Sequence, residues 1–294
     1  MRDVPIRLKF ANQQNPQAGF DIVRIPDVYQ REYEDHSPFA LHLVEFFILV
    51  FITSGEGKHT VDFTDFPCQK GSLLTIRKDQ LHKFFPSNLN GYLLLFTPEF
   101  LISYLERMEV QKSLQLFNEL LGHPMIQLSE QEFDLVHQLV ERIRQEYFDV
   151  NDEYSMSIIR SELHILITQL YRIKSSKKNV LGQRRYLDEF IELQQLVEQN
   201  ATQTTRVQDY ARMMGVSPKT LSNITKSIVF KSAKEFIDEI CTLQIKRLLI
   251  HTELSIKEIA YASGFEETTN FYKYFKRQTQ TTPEKFRLAD GNNF

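Results

Sequence analysis

Two short stretches about fifty residues apart repeat one spacing: Tyr210-Ala211-Arg212-Met213-Met214-Gly215-Val216 and Ile259-Ala260-Tyr261-Ala262-Ser263-Gly264-Phe265. Each sets a small Ala four residues before a Gly and an apolar residue directly after it. Ala lets a second helix cross closely, and Gly can adopt the positive φ that ends the first helix. The spacing therefore predicts two helix-turn-helix units in the last third of the chain.

Charge separates this segment from the rest. Residues 206–287 hold 14 Lys or Arg against 9 Asp or Glu, a balance of +5, whereas the remainder carries −8 and the whole chain −3. A basic module on an acidic body is the pattern of a nucleic-acid-binding domain joined to something else. The 294 residues suffice for about two domains. The apolar run Phe46 to Ile52 is too short to span a bilayer, and Met1-Arg2-Asp3-Val4-Pro5 is not a signal peptide, so a cytoplasmic protein with no membrane partner is expected. Cys68 and Cys241 stand far apart and suggest neither a disulfide framework nor a zinc cluster.

Between Phe20 and Leu95, short apolar runs broken by Gly, Pro and Asp read as strands, clearest at 44–52, 58–63, 72–76 and 92–96, and predict a small sandwich or barrel. After Pro98 the period turns helical. Ser129 and Glu132 match a capping box ahead of Phe133, Val136, Val140, Ile143 and Tyr147 on one face. A second helix, from Tyr154 to about Ile173, is apolar on more than one side, which points to burial between partners. The polar stretch that follows reads as a linker. The expected architecture is two-domain α+β: a barrel with dimerisation helices over 1–173, a linker over 174–183, and an all-α domain of two helix-turn-helix units joined by a linker helix over 184–294.

Further capping-box matches, Thr205 with Gln208, Ser232 with Glu235 and Ser255 with Glu258, place helix starts where the doubled motif needs them. Ser217-Pro218 adds an N-cap hydroxyl before a first-turn Pro. Two recognition helices follow, from Pro218 to about Ile228 and from Thr268 to Gln278. The helix between them spans roughly 27 Å at 1.5 Å per residue, suited to successive major-groove turns about 34 Å apart. Outward-facing candidates for DNA contact are Ser217, Lys219, Thr220, Ser222, Asn223 and Lys226 on the first, and Thr268, Thr269, Asn270, Tyr272, Lys273 and Lys276 on the second. Asn223 suits adenine, Lys219 and Lys273 suit guanine acceptors, and the Thr and Tyr hydroxyls with Lys226 and Lys276 suit phosphates. For any one of these residues a solvated helix face is the competing reading.

The segment 259–265, followed by Asn270-Phe271-Tyr272-Lys273-Tyr274-Phe275-Lys276 and Thr282-Pro283-Glu284-Lys285-Phe286-Arg287, closely resembles the C-terminal signature of AraC/XylS family transcription regulators. Val207 to Lys226 resembles the family's weaker first unit. The resemblance implies a sequence-specific regulator of transcription, an activator, bound to double-stranded promoter DNA as a homodimer and working with RNA polymerase. This chain departs from the family at Thr225, where Phe is usual, and at Phe230 and Gln280, where the family has Gly. The pieces Ser54-Gly55-Glu56-Gly57, 71–76 and Gln80-Leu81-His82 resemble, more loosely, the cupin-like sensor barrel of the same family.

Metal-binding cupins use a His-x-His pair. Here His36, His42, His59 and His82 are all isolated, so no metal, no cofactor and no catalytic residue is expected. An apolar effector pocket for a small molecule fits better. Phe47, Leu49 and Phe51, or the opposite set Phe46, Ile48 and Val50, would line it with His42 and His82, against the plainer reading of core packing. Two alternatives to an effector-controlled regulator are a cupin-type metal-dependent enzyme with a DNA-binding tail, and a ligandless regulator whose barrel only dimerises.

Overall fold

The computed structural model describes residues 5–12, 15, 18–30, 37–102, 124–176, 186–229 and 231–293. Phe230, His36 and most of the expected linker lie outside them. The chain divides into two compact units, one within 5–179 and one within 180–294.

The N-terminal unit contains two five-stranded sheets. One has the order β1 (Ile6–Leu8), β3 (His42–Val44), β8 (Leu81–Phe84), β5 (Gly57–Val61), β6 (Thr64–Cys68). The other runs β10 (Met125–Gln127), β7 (Ser72–Ile76), β4 (Phe47–Ser54), β9 (Asn90–Phe96), β2 (Phe20–Arg24). Every pairing is antiparallel except β1 with β3. Strand β4 is apolar at almost every position and is buried on both faces. Ile48, Val50 and Ile52 join Val44, Val61, Phe66, Leu74 and Phe84 in the core between the sheets. Phe47, Leu49 and Phe51 point the other way, since successive strand residues alternate.

That outer face is covered by α3 (Glu130–Gln145) and α4 (Ser155–Ser176), joined by a π-helical turn at Glu146–Val150; two short helices, α1 (Ile25–Gln30) and α2 (Pro98–Ile102), precede them. Helix α3 begins as the capping box predicts: the Ser129 side chain accepts from the Glu132 N–H, and Glu132 accepts from the Ser129 N–H at 2.7 Å. Its buried Phe133, Val136, Leu139, Val140 and Ile143 meet β4, with Phe51 and Phe133 rings 5.4 Å apart. Each such side chain contributes about 1.5–3 kcal/mol on burial, so this covering layer is a core in its own right. Helix α4 buries Ile159, Leu163, Leu166, Ile167 and Leu170 but leaves Ile158 and Ile165 at 44% and 43% exposure, with Tyr154 just before it at 63%. It reaches Ser176, three residues into the stretch expected to be linker.

The C-terminal unit is helical. It contains α5 (Leu187–Asn200), α6 (Val207–Met213), α7 (Pro218–Val229), α8 (Ala233–His251), α9 (Ile256–Ala262), α10 (Thr268–Thr279) and α11 (Pro283–Asn293). The repeated motif folds as its spacing demands: Ala211 and Ala260 are buried, while Gly215 and Gly264 take φ +66° and +76°. The capping boxes at Ser232 and Ser255 form with both bonds. The one expected at Thr205 with Gln208 does not. Helix α6 starts one residue later than that box requires, with Arg206 as an N-cap that gives no side-chain bond. Thr204 does the local work instead: its hydroxyl donates to Asp209 at 2.6 Å, and its carbonyl accepts from the Tyr210 hydroxyl at 2.8 Å.

Candidate functional site

The first recognition helix, α7, is held by Leu221, Ile224 and Thr225, all buried. Thr225 occupies the slot that Phe275 fills in the second unit, and its hydroxyl donates to the Ser222 carbonyl at 3.2 Å rather than filling apolar space. On the opposite side Lys219, Asn223 and Lys226 are exposed at helical spacing, with Ser222 and Thr220 half-buried beside them. Ser217 caps the helix: the Thr220 N–H donates to its oxygen at 3.0 Å, and the Ser217 and Thr220 hydroxyls bond each other at 2.8 Å. Both hydroxyls are thus partly committed within the protein.

The second recognition helix, α10, buries Phe271, Tyr274 and Phe275, the last edge-on to Phe286 of α11 at 5.6 Å. Thr269, Asn270, Lys273 and Lys276 are exposed, and Thr268 and Tyr272 half-buried. Tyr272, assigned to phosphate on sequence grounds, has its hydroxyl donated to Glu284 of α11. That bond commits the Tyr272 hydroxyl within the unit. Arg277, next to Lys276, is a cation the sequence reading passed over. Its guanidinium is exposed, 3.8 Å from Asp238 and 5.5 Å from the Tyr274 ring.

Asp238 on α8 fixes the pose of α10. It is buried, accepts from Lys234 at 2.7 Å and from Gln278 at 3.0 Å, and its carbonyl accepts from the Tyr274 hydroxyl at 3.2 Å. A buried carboxylate is tolerable because it is paired and hydrogen-bonded. Burial pushes the neighbouring Cys241 thiol up to about 12 and also raises the Tyr274 hydroxyl, so both stay protonated. Arg287 closes the far end of α8, its Nε donating to the Leu249 carbonyl at 2.9 Å, one of the last carbonyls a helix leaves unpaired.

In the N-terminal unit the effector expectation splits. Phe47, Leu49 and Phe51 cannot line a chamber between the sheets, because the register of β4 with β7 and β9 turns them into the layer under α3 and α4. The alternative set faces inward, Phe46, Ile48 and Val50 all belonging to the core between the sheets. His42 and His82 do come together. They pair directly across β3 and β8 with ring centroids 5.5 Å apart, and His59 of β5, not singled out for the pocket, stacks on His82 at 5.3 Å. All three rings are buried. The signal in the sequence was alternation, since His42, His59 and His82 each sit two residues from an inward Val44, Val61 or Phe84.

Burial holds His59 down to about 3, with His42 adding to the effect, and holds His82 well below the ordinary imidazole range. Both are neutral at pH 7. His59 Nε2 and both His82 ring nitrogens are buried with no hydrogen-bond partner among the described residues. A buried polar atom left without a partner costs about 1–3 kcal/mol. Among the described residues no three His, Cys, Asp or Glu side chains are arranged to hold a metal ion, and no helix is long and apolar enough to cross a membrane.

Comparison with known proteins matches residues 210–289 to a helix-turn-helix domain and residues 26–157 to an AraC-like ligand binding domain. The chain is 21% identical over 254 residues to the HTH-type transcriptional activator RhaR of Enterobacter sp. (strain 638), covering 85% of this chain and 87% of that one. It is 37% identical over 82 residues to the HTH-type transcriptional regulator GlxA of Rhizobium meliloti (strain 1021), covering 28% and 25%. Among solved structures, ToxT from Vibrio cholerae aligns over 92% of this chain and 97% of that one at 17% identity, with a TM-score of 0.43.

Proposed function

The chain belongs to the AraC-like transcription regulators, and from that premise we propose that it is an effector-controlled activator which grips promoter DNA with α7 and α10 as a homodimer. One observation carries the DNA reading. Both repeats fold with an exposed face of Lys and Asn, Lys219, Asn223 and Lys226 on one helix and Asn270, Lys273 and Lys276 on the other, each on a rigidly packed helix. Phosphate contacts from Lys226, Lys276 and Arg277 position the protein, and Asn223, Lys219 and Lys273 read bases.

The effector is a small molecule that enters the core between the sheets and meets His42, His59 and His82. Those rings supply the polar groups of an otherwise apolar lining. Its binding shifts the population towards the arrangement whose DNA heads fit their site. The exposed apolar residues of α4 support dimerisation through that helix. An activator acts through RNA polymerase in the cytoplasm, and the chain has no catalytic role of its own. Activation is supported by the chain's similarity to the transcriptional activator RhaR.

A salt titration of promoter binding tests the core of the proposal. Lys226→Ala and Lys276→Ala each flatten the slope of log affinity against log salt by about one unit and weaken all sequences alike. Asn223→Ala instead loses about 1–3 kcal/mol of discrimination at one base position. If none of the three alters binding to any promoter fragment, α7 and α10 are not the reading heads.

A further inference from the structure

The two reading heads differ at the end that meets base edges. In helix-turn-helix proteins the N-terminal residues of the recognition helix reach into the major groove. In the first unit two residues, Val216 and Ser217, separate Gly215 from α7, and Ser217 caps the helix. In the second unit three residues, Phe265, Glu266 and Glu267, separate Gly264 from α10. Leu221 and Phe271 are each the fourth residue of their helices, so the extra residue lies in the turn and not in the helix.

Glu267 stands at the N-cap of α10 with φ −125° and ψ 129° and makes no side-chain cap bond. The serine N-caps Ser129, Ser217, Ser232 and Ser255 all make theirs. Its side chain is exposed, like that of Glu266. A free carboxylate here is favourable to the helix dipole but opposed by every phosphate of a bound duplex. It becomes favourable on DNA only by meeting a hydrogen-bond donor, and in the major groove the donors are the amino groups of cytosine and adenine. Tyr272 shares this polarity: its proton goes to Glu284, so towards any further partner its oxygen accepts. The first head has no acidic residue at the corresponding position, where Ser217 stands, while both heads carry exposed lysines, Lys219 and Lys226 on one and Lys273 and Lys276 on the other.

Resting on the DNA-binding reading above, we propose that Glu267 is a specificity-determining residue that accepts a hydrogen bond from the N4 amino group of a cytosine, adding a base donor to what the second head reads.

Selection from a pool of random-sequence duplexes with the full-length protein tests this, repeated with Glu267→Ala and Glu267→Gln at one fixed salt concentration. The wild-type protein selects a motif containing a fixed cytosine. Glu267→Ala loses that preference by about 5- to 150-fold and keeps the rest of the motif. Its affinity for unselected DNA rises, because a like charge has gone. Thermal midpoints measured in parallel separate reading from folding. An unchanged motif in Glu267→Ala overturns the proposal, as does a uniform weakening at all positions with a lowered midpoint, which marks a purely structural role at the helix end. If the wild-type protein selects no motif at all, the DNA-binding reading itself falls and takes this one with it; a motif that ignores position 267 leaves that reading standing.

Discussion

At the scale of single residues, the left-handed positions show where chemistry and backbone agree and where they do not. Gly264 is doubly constrained: its φ is +76°, and a Cβ there would lie 2.6 Å from the Gln203 carbonyl oxygen. Gly215 is constrained by φ alone, with nothing within 4 Å of such a Cβ. Gln280 keeps the left-handed geometry, φ 60°, although it has a side chain, and its N–H donates to the Lys276 carbonyl at 2.9 Å. The family's usual Gly has been replaced without reshaping the helix end, at a cost of roughly 1 kcal/mol. Gln280→Gly is therefore expected to raise stability by about that amount in denaturant titration. Gly264→Ala is expected to lower it by more than Gly215→Ala, because only the former adds a backbone clash to the strained φ. Equal losses at the two glycines would contradict this account of the turns.

Among elements, those written in local chemistry were legible in the sequence. Ser129, Ser232 and Ser255 each announced a helix start, and the structure places both capping bonds at all three. Thr205 misled because a capping box is a pattern of four residues, while the start of α6 is settled by Tyr210 reaching back to Thr204 from a buried position. Short strands such as β3, β8 and β10 escaped notice: three or four residues carry too little periodicity to register, and they form because long-range partners complete the sheets. The face of β4 was undecidable locally, as both of its sides are apolar and only pairing partners distinguish them. Helix α4 shows the same ambiguity resolved. One side joins the core, and the other leaves Ile158 and Ile165 along a line of helical spacing in solvent, with Tyr154 just before the helix. If the chain forms the homodimer proposed above through this helix, Ile158→Glu is expected to leave it a monomer in light scattering while its circular dichroism stays unchanged. A dimer that persists would move the interface elsewhere.

For the whole molecule, the N-terminal unit is expected to be sensitive to acid, because His59 and His82, both held below the ordinary imidazole range, sit in it. His59 is neutral when folded down to about pH 3, whereas an unfolded imidazole takes its proton near 6.5. Above 6.5 neither state binds the proton and full stability is present. Between 6.5 and 3 only the unfolded chain binds it, so stability falls as the pH falls. His59 alone removes about 2 kcal/mol at pH 5, and His82, shifted in the same direction, adds to the loss. Denaturant curves at pH 7 and pH 5 are expected to show the N-terminal unit weakened at the lower pH, and His59→Leu to reduce the difference. A pH-independent transition would mean that these rings are not buried neutral. The division of labour between a basic reading unit and an acidic partner was visible in charge alone, yet the meeting of three isolated histidines was not, since 40 residues separate the first from the last along the chain and only β-pairing joins them.

For anyone wishing to retune this regulator, strand β4 offers a ready-made parity code. Its even-numbered side chains, Ile48, Val50 and Ile52, face the core between the sheets, while Phe47, Leu49 and Phe51 belong to the layer under the helices. Substitutions at the even positions are expected to change the packing between the sheets, and those at the odd positions the seating of α3 and α4 on the sheet. Two layers of the N-terminal core are here interleaved on a single strand and can be altered one at a time.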